Sequence, residues 1–160
     1  MKTEPAGTTE WAVPQSGMAF GKYRLVRELG RGGMASVWLA AHTILGAPVA
    51  VKILAPEIAA RDPRFMVRFL REARLAGRIH HPHLVAVHDV GRDPATSLNY
   101  MVMEYLPGGS VAGLLARNGP LPEANALRIV TQVAGALAQA ERYGMVHRDI
   151  KPDNILFDEN

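Results

Sequence analysis

A chain of 160 residues, 48% of them hydrophobic, is long enough to bury one ordinary core, and it shows no repeat or low-complexity array. The absence of cysteine excludes disulfides and thiolate metal sites, and no run of about 18 apolar residues offers a membrane span. The net charge of +3 would suit a nucleotide or a nucleic acid. Much of it lies in a stripe of Arg64, Arg68, Arg71 and Arg78 without interleaved aromatics, which reads as a solvated helix face and argues against a nucleic-acid partner.

Residues 1–19 hold Pro5, Gly7, Pro14 and Gly17 among polar neighbours, with neither an apolar core nor a cleavage signal, and read as a disordered leader. A cytoplasmic location follows by default. Strands are expected over 23–29 and 36–42, joined by a glycine turn, and over 49–54 after the turn Gly46-Ala47-Pro48. Asp62 as a cap, with Pro63 in the first turn, opens a helix that runs to about residue 79 and stops before His81-Pro82. His80, His81 and His83 flank a proline rather than showing zinc spacing, and are read as loop residues. Two more strands are expected over 84–90 and 100–105. The linker Pro107-Gly108-Gly109, a short helix over 110–117 and a long helix from Pro122 to the glycine at 144 follow. Residues 145–154 read as a loop and 155–157 as a short strand. The order is α+β: a five-stranded antiparallel lobe with one inserted helix (20–106), then a hinge and the start of a helical lobe (107–160).

The long helix is apolar on more than one side. Leu127, Val130, Ala134, Leu137 and Ala138 mark one face, and Ile129, Val133, Ala136 and Ala140 mark others. Such a helix expects burial on several sides. Nothing later in the sequence can cover it, so exposed hydrophobic surface and poor solubility are expected.

Three groups of residues carry chemistry. On the helix from Pro63, at about 100° per residue, Phe65, Phe69, Ala76 and Ile79 share a face with Glu72 in its middle. A carboxylate there is costly unless paired. In the strand over 49–54, alternation puts Ala50, Lys52 and Leu54 on one side, and Lys52 is its only charge. Either Lys52 and Glu72 meet, or Lys52 reaches to solvent and Glu72 sits on a rim. The loop from Leu29 to Val37, with Gly30, Gly32 and Gly33, lets backbone N–H groups approach phosphate oxygens. A strand follows it rather than a helix, which argues against the dinucleotide and P-loop patterns and leaves an ordinary hairpin turn open. The strongest signal is His147-Arg148-Asp149-Ile150-Lys151-Pro152-Asp153-Asn154. A carboxylate in such a loop can orient a hydroxyl and accept its proton. An amide oxygen five residues on can ligate a hard cation such as Mg²⁺. A lysine two residues after the carboxylate can offset charge on a transferring phosphoryl group. A charged surface loop is the plainer alternative, and the spacing argues against it.

In this order the glycine loop, the Val49-Ala50-Val51-Lys52 strand and His147-Arg148-Asp149 with Asn154 resemble the protein kinase superfamily over about residue 23 to the C-terminus. The Asp149-Ile150-Lys151 run is similar to the serine/threonine branch, and the glycine loop and His81-Pro82-His83-Leu84-Val85 are similar to bacterial kinases of eukaryotic type. The resemblance implies ATP and Mg²⁺ as cofactors, and as partners protein substrates with Ser or Thr and a second kinase chain. It gives Lys52 to the α- and β-phosphates and pairs it with Glu72. Asp149 becomes the catalytic base, Lys151 the contact to the γ-phosphate, Asn154 the Mg²⁺ ligand and Arg148 the dock for a phosphorylated activation loop. Met103 takes the gatekeeper place, and Glu104 and Leu106 bond adenine through their backbone. Leu29, Val37, Ala50 and Leu156 sandwich the adenine ring, and Ser110 contacts the ribose. The apolar members of this set could equally be plain core.

Two departures from the family pattern stand out. Ala35 holds the third glycine position of the phosphate loop, where a Cβ narrows the backbone options without blocking the earlier N–H groups. The Asp-Phe-Gly motif that should follow Asn154 by roughly a dozen residues does not occur in these 160 residues. The expectation is a cropped catalytic domain that binds nucleotide weakly and transfers phosphate poorly, since transfer depends on metal between the phosphates. Two other readings remain: a pseudokinase-like or decoy fragment that binds nucleotide or a partner without catalysis, and a small-molecule phosphotransferase, which Lys151 fits less well.

Overall fold

The structure, a computed structural model, describes residues 13–55 and 63–158. A sheet of six antiparallel strands comes first: β1 (Ala19–Phe20), β2 (Tyr23–Arg31), β3 (Ala35–His42), β4 (Pro48–Leu54), β5 (Val87–Arg92) and β6 (Asn99–Glu104). Their spatial order is β1-β2-β3-β4-β6-β5. β4 is rich in β-branched residues and takes the central place, with β3 on one side and β6 on the other. Directly opposed residues in antiparallel strands point the same way. The row Trp38–Val51–Val102 therefore shares a face with Ala40 and Val49 and with Ile53 and Tyr100. These side chains, with Phe20, Tyr23, Leu25 and Leu98, form the buried core.

The sixth strand is the short β1. Residue 17 donates its N–H to the Leu25 carbonyl at 2.8 Å, and the Leu25 N–H returns to the Met18 carbonyl at 2.8 Å. Phe20 is fully buried and sets its ring edge-on to Tyr100 at 5.7 Å. The segment expected as the end of a disordered leader is thus tied to the sheet. Residues 1–12 lie outside the described residues, as does the expected helix cap at Asp62.

Helix α1 (Pro63–Ala76) stops three residues short of the expected end. The N–H groups of Arg78 and Ile79 bond back only three residues, to Leu75 at 3.0 Å and Ala76 at 3.1 Å, so the last turn tightens and winds out of the helix. Residues 84–86 also differ from expectation. Leu84 donates to the His81 carbonyl at 3.1 Å in a turn, and pairing begins only at Val87. Past the sheet come α2 (Val111–Asn118), α3 (Glu123–Arg142) and a single 3₁₀ turn (Pro152–Asn154). The expected strand over 155–157 reduces to one bridge, Leu156 to Ser110.

Candidate active site

The face of the sheet opposite the core carries the residues singled out in the strands. Leu39, Ala50 and Met103 form one cross-strand row, and Val37, Lys52 and Met101 the next. The register follows from the two-residue period of β4, whose odd positions 49, 51 and 53 are committed to the core. Ala50 is buried, while Val37, Lys52 and Met103 are half-buried. Lys52 is thus the one charge in a row of apolar neighbours. Its side chain has no hydrogen bond or ion pair among the described residues.

Lys52 and Glu72 do not meet. Glu72 is exposed and forms no ion pair among the described residues. The expected face on α1 was centred on Phe65, Phe69, Ala76 and Ile79. The buried residues within the helix are Phe69 and Ala73, and Ile79 lies beyond its end, where the helical angle no longer applies. The buried stripe is therefore rotated towards Ala73, which carries Glu72 to the edge and into solvent.

The glycine loop joins β2 to β3. The N–H of residue 32 donates to the Ala35 carbonyl at 2.9 Å, closing the turn. A Cβ built at position 30 or 33 meets nothing within 4 Å, and neither position has positive φ. Neither turn conformation nor internal packing asks for glycine there, and the backbone of the loop is left open to close approach. Arg31, to which the sequence pattern attaches no role, forks onto Glu28 at 3.0 and 2.6 Å and holds the Glu28 carboxyl below its ordinary range. Their spacing of three residues is the only sequence signal for that clip. Leu29 sits in a bulge between them, exposed.

The hinge follows β6. The Glu104 N–H is spent on the Ala86 carbonyl at 2.9 Å, whereas the backbone of Leu106 makes no hydrogen bond among the described residues. Residues 108–111 then pair with 155–157. The N–H of residue 108 donates to the Phe157 carbonyl at 3.0 Å, that of Phe157 to the residue 109 carbonyl at 2.8 Å, and that of Val111 to the Ile155 carbonyl at 2.9 Å. This brings Ser110 and Leu156 side by side. Ser110 has a local duty as well: its Oγ accepts the N–H of residue 113 at 3.1 Å and caps α2.

The loop after α3 turns at Arg148, whose φ of 65 is uncommon for a residue with a Cβ. Asp149 next to it gathers the other two side chains singled out in this loop. Lys151 Nζ lies 3.2 Å from its Oδ2. Asn154 donates Nδ2 to the Asp149 carbonyl at 2.7 Å and to Oδ2 at 2.9 Å. The Lys151 contact first, and the Asn154 contact second, hold the Asp149 carboxyl below the ordinary carboxylate range. Because the Asn154 nitrogen faces Asp149, its Oδ1 is left without a partner among the described residues. A hard cation needs such an oxygen. No group of three or more His, Asp or Glu able to hold a metal occurs among the described residues.

Residues 23–160 match the protein kinase domain. The chain belongs to that family. Within it, this kinase chain is 44% identical over 140 residues to serine/threonine-protein kinase PknH of Mycobacterium tuberculosis, covering 88% of this chain and 22% of the relative. It is 44% identical over 138 residues to serine/threonine-protein kinase PrkC of Bacillus subtilis, covering 86% of this chain and 21% of that one. The chain therefore spans about a fifth of the length of these relatives. A crystal structure of the M. tuberculosis PknI kinase domain superposes with a TM-score of 0.81 at 37% identity, over 92% of this chain and 59% of that one. The six-stranded sheet and the helices after it are thus the protein-kinase-like fold, with one strand more than the pattern predicts. No helix among the described residues is long and apolar enough to cross a membrane.

Proposed function

We propose that these residues belong to an ATP-dependent enzyme that transfers a phosphoryl group to serine or threonine hydroxyls of protein substrates. The observation that carries the proposal is the exposed Asp149–Lys151–Asn154 cluster, whose carboxylate is held ionised and whose amide oxygen is spare. Asp149 orients the substrate hydroxyl and receives its proton. Lys151 offsets charge on the phosphoryl group, and Lys52 holds the α- and β-phosphates. Asn154 Oδ1 would be the residue to hold Mg²⁺, which would supply positive charge to offset that of the phosphates. Leu29, Val37, Ala50, Met103 and Leu156 enclose adenine, the free backbone of Leu106 and the carbonyl of Glu104 bond its edge, and Ser110 reaches the ribose. Glycines 30, 32 and 33 leave the phosphates room. Glu72 is the residue that the family pattern pairs with Lys52, and it faces solvent here. The phosphoryl donor places the reaction in the cytoplasm.

The test is phosphorylation of a Ser/Thr protein substrate by the full-length gene product with Mg²⁺ and labelled ATP. Asp149→Asn lowers turnover by about 10²–10⁴-fold if it removes a working base, and Lys52→Met abolishes phosphate positioning. Activity surviving both substitutions rejects the proposal. The outward Glu72 favours a second reading, a nucleotide-binding module without catalysis. Thermal stabilisation by ATP that Mg²⁺ leaves unchanged supports that reading instead.

A further inference from the structure

The fork of Arg31 onto Glu28 has no part in the proposed chemistry, and its geometry depends on the bulge it spans. In a regular strand, residues three apart face opposite ways. Here Glu28 is opposed to Trp38 and Arg31 to Ser36, because the register shifts between Glu28 and residue 30 and leaves Leu29 as the extra residue. Opposed residues share a face. Glu28 and Arg31 therefore both lie on the side of Trp38 and Ser36, which are buried and joined by a 3.1 Å bond from Trp38 Nε1 to Ser36 Oγ. The step from Ser36 to Trp38 on β3 is matched by the longer step from Arg31 back to Glu28 on β2, and the fork at 3.0 and 2.6 Å closes over the difference. A straightened β2 would turn the two side chains to opposite faces and break the fork. Alternation from Glu28 turns Leu29 to the other side of the sheet, and pairing with Val37 puts residue 30 there as well. That side carries Val37 and Lys52.

We infer that Glu28 and Arg31 are a positioning pair that locks this bulge, and so holds Leu29 and the backbone of the glycine loop over the nucleotide and sets nucleotide affinity. This role rests on the proposed function, which puts adenine against Leu29 and Val37. No packing does the same work. Leu29 is exposed, and a Cβ at position 30 would meet nothing within 4 Å, so no neighbouring side chain pins the bulge from that side. The bidentate fork fixes an angle as well as a distance, which a lysine at position 31 would not. Arg31 acts through Leu29 rather than on the phosphates. It lies on the other side of β2 from the face that carries Lys52, and both its Nε and its Nη2 are engaged by the Glu28 carboxylate.

The test uses the full-length gene product with Glu28→Ala, with Arg31→Ala, with both, and with the charges exchanged as Glu28→Arg plus Arg31→Glu. Both side chains reach solvent, so none of these changes opens the core. Each single substitution raises the Kd and the KM for ATP by about three- to fivefold, the upper end for an exposed ion pair of good geometry, and leaves kcat within about twofold. The double variant loses no more than either single one, and the exchanged pair recovers most of the affinity. Hydrogen exchange over residues 28–38 without nucleotide reads the bulge itself: it quickens in the single variants and slows again in the exchanged pair. Additive losses, a fall in kcat with KM unchanged, or exchange that the substitutions leave unmoved overturns the positioning role. So does weaker binding confined to Arg31→Ala with tighter binding in Glu28→Ala, the pattern of an arginine that touches phosphate directly. A parent protein that binds no nucleotide rejects the proposed function and the affinity role with it, while the exchange comparison still decides whether the pair locks the bulge.

Discussion

At the scale of single residues, the loop after α3 is an arrangement of protons and charges in which the lysine is the main influence on the aspartate. Lys151 is the larger cause of the lowered Asp149 carboxyl and Asn154 the smaller. Both partners favour the ionised form, so what their contacts contribute is present above the ordinary carboxylate pKa and is lost as pH falls through the lowered value. Replacing Lys151 with methionine removes the main cause, and the Asp149 titration then moves up towards the ordinary range. Carboxyl carbon chemical shifts followed against pH measure this directly, and an unmoved titration contradicts the assignment. Asn154→Ala produces a smaller upward shift. Asp149, Lys151 and Asn154 were legible because they lie within six positions in sequence, where the chain itself enforces proximity. Lys52 and Glu72 lie on separate elements, and their meeting depends on how α1 is rotated. Rotation is set by which residues find a core, and here Ala73 takes the centre of the stripe in place of Phe65, while Ile79 is buried beyond the end of the helix. Spacing along one helix does not contain that information.

At the scale of elements, the alternation in β4 was enough to place Lys52 and Ala50 on the face away from the core, because a one-residue slip would expose Val49, Val51 and Ile53 together. The hinge was less legible. The sequence Pro107-Gly108-Gly109 reads as a linker, and the structure uses the two glycines differently. A Cβ at position 108 would lie 2.6 Å from the Phe157 carbonyl oxygen and 2.7 Å from that of Asp158, so glycine is required there by close approach of two backbones. Position 109 has φ 79 and open space around it, so glycine is required there by conformation alone. Changing the first to alanine forces two main-chain segments apart and destabilises by about 1–3 kcal/mol, the range for overpacking. Changing the second costs about 1 kcal/mol, the penalty of a left-handed residue with a Cβ. Urea midpoints of Gly108→Ala and Gly109→Ala give the order. A variant at 108 as stable as the parent would mean that residues 155–157 do not seat against the hinge. Nucleotide affinity is expected to fall with the first substitution more than the second, since the same contact holds Leu156 beside Ser110.

At the scale of the whole molecule, burial is unevenly shared. The sheet holds the core cluster, with Phe20, Leu25, Val51, Ile53, Leu98 and Val102 sealed from solvent. Helix α3 is of 20 residues and buries only Ala136 and Ala140, whereas Leu127 is 59% exposed and Val130 63% exposed. The sequence pattern already showed a helix apolar on several sides, and the structure shows which of those sides have no cover within the described residues. Local stability follows apolar burial. The amides of β3, β4 and β6 therefore exchange most slowly in the 160-residue chain, and those of α3 exchange sooner, in a separate and less stable unit. Substitution separates the two in the same way. Val51→Ala removes a sealed side chain from the central row and costs about 2 kcal/mol or more of sheet stability. Val130→Ala removes one already in water and changes stability by less than about 0.5 kcal/mol, while reducing the apolar surface open to a hydrophobic dye. Hydrogen exchange read by mass spectrometry on peptides from 48–54 and from 123–142 makes the comparison. Equal protection in the two segments would show that α3 is held by the same cooperative unit as the sheet, against the burial pattern.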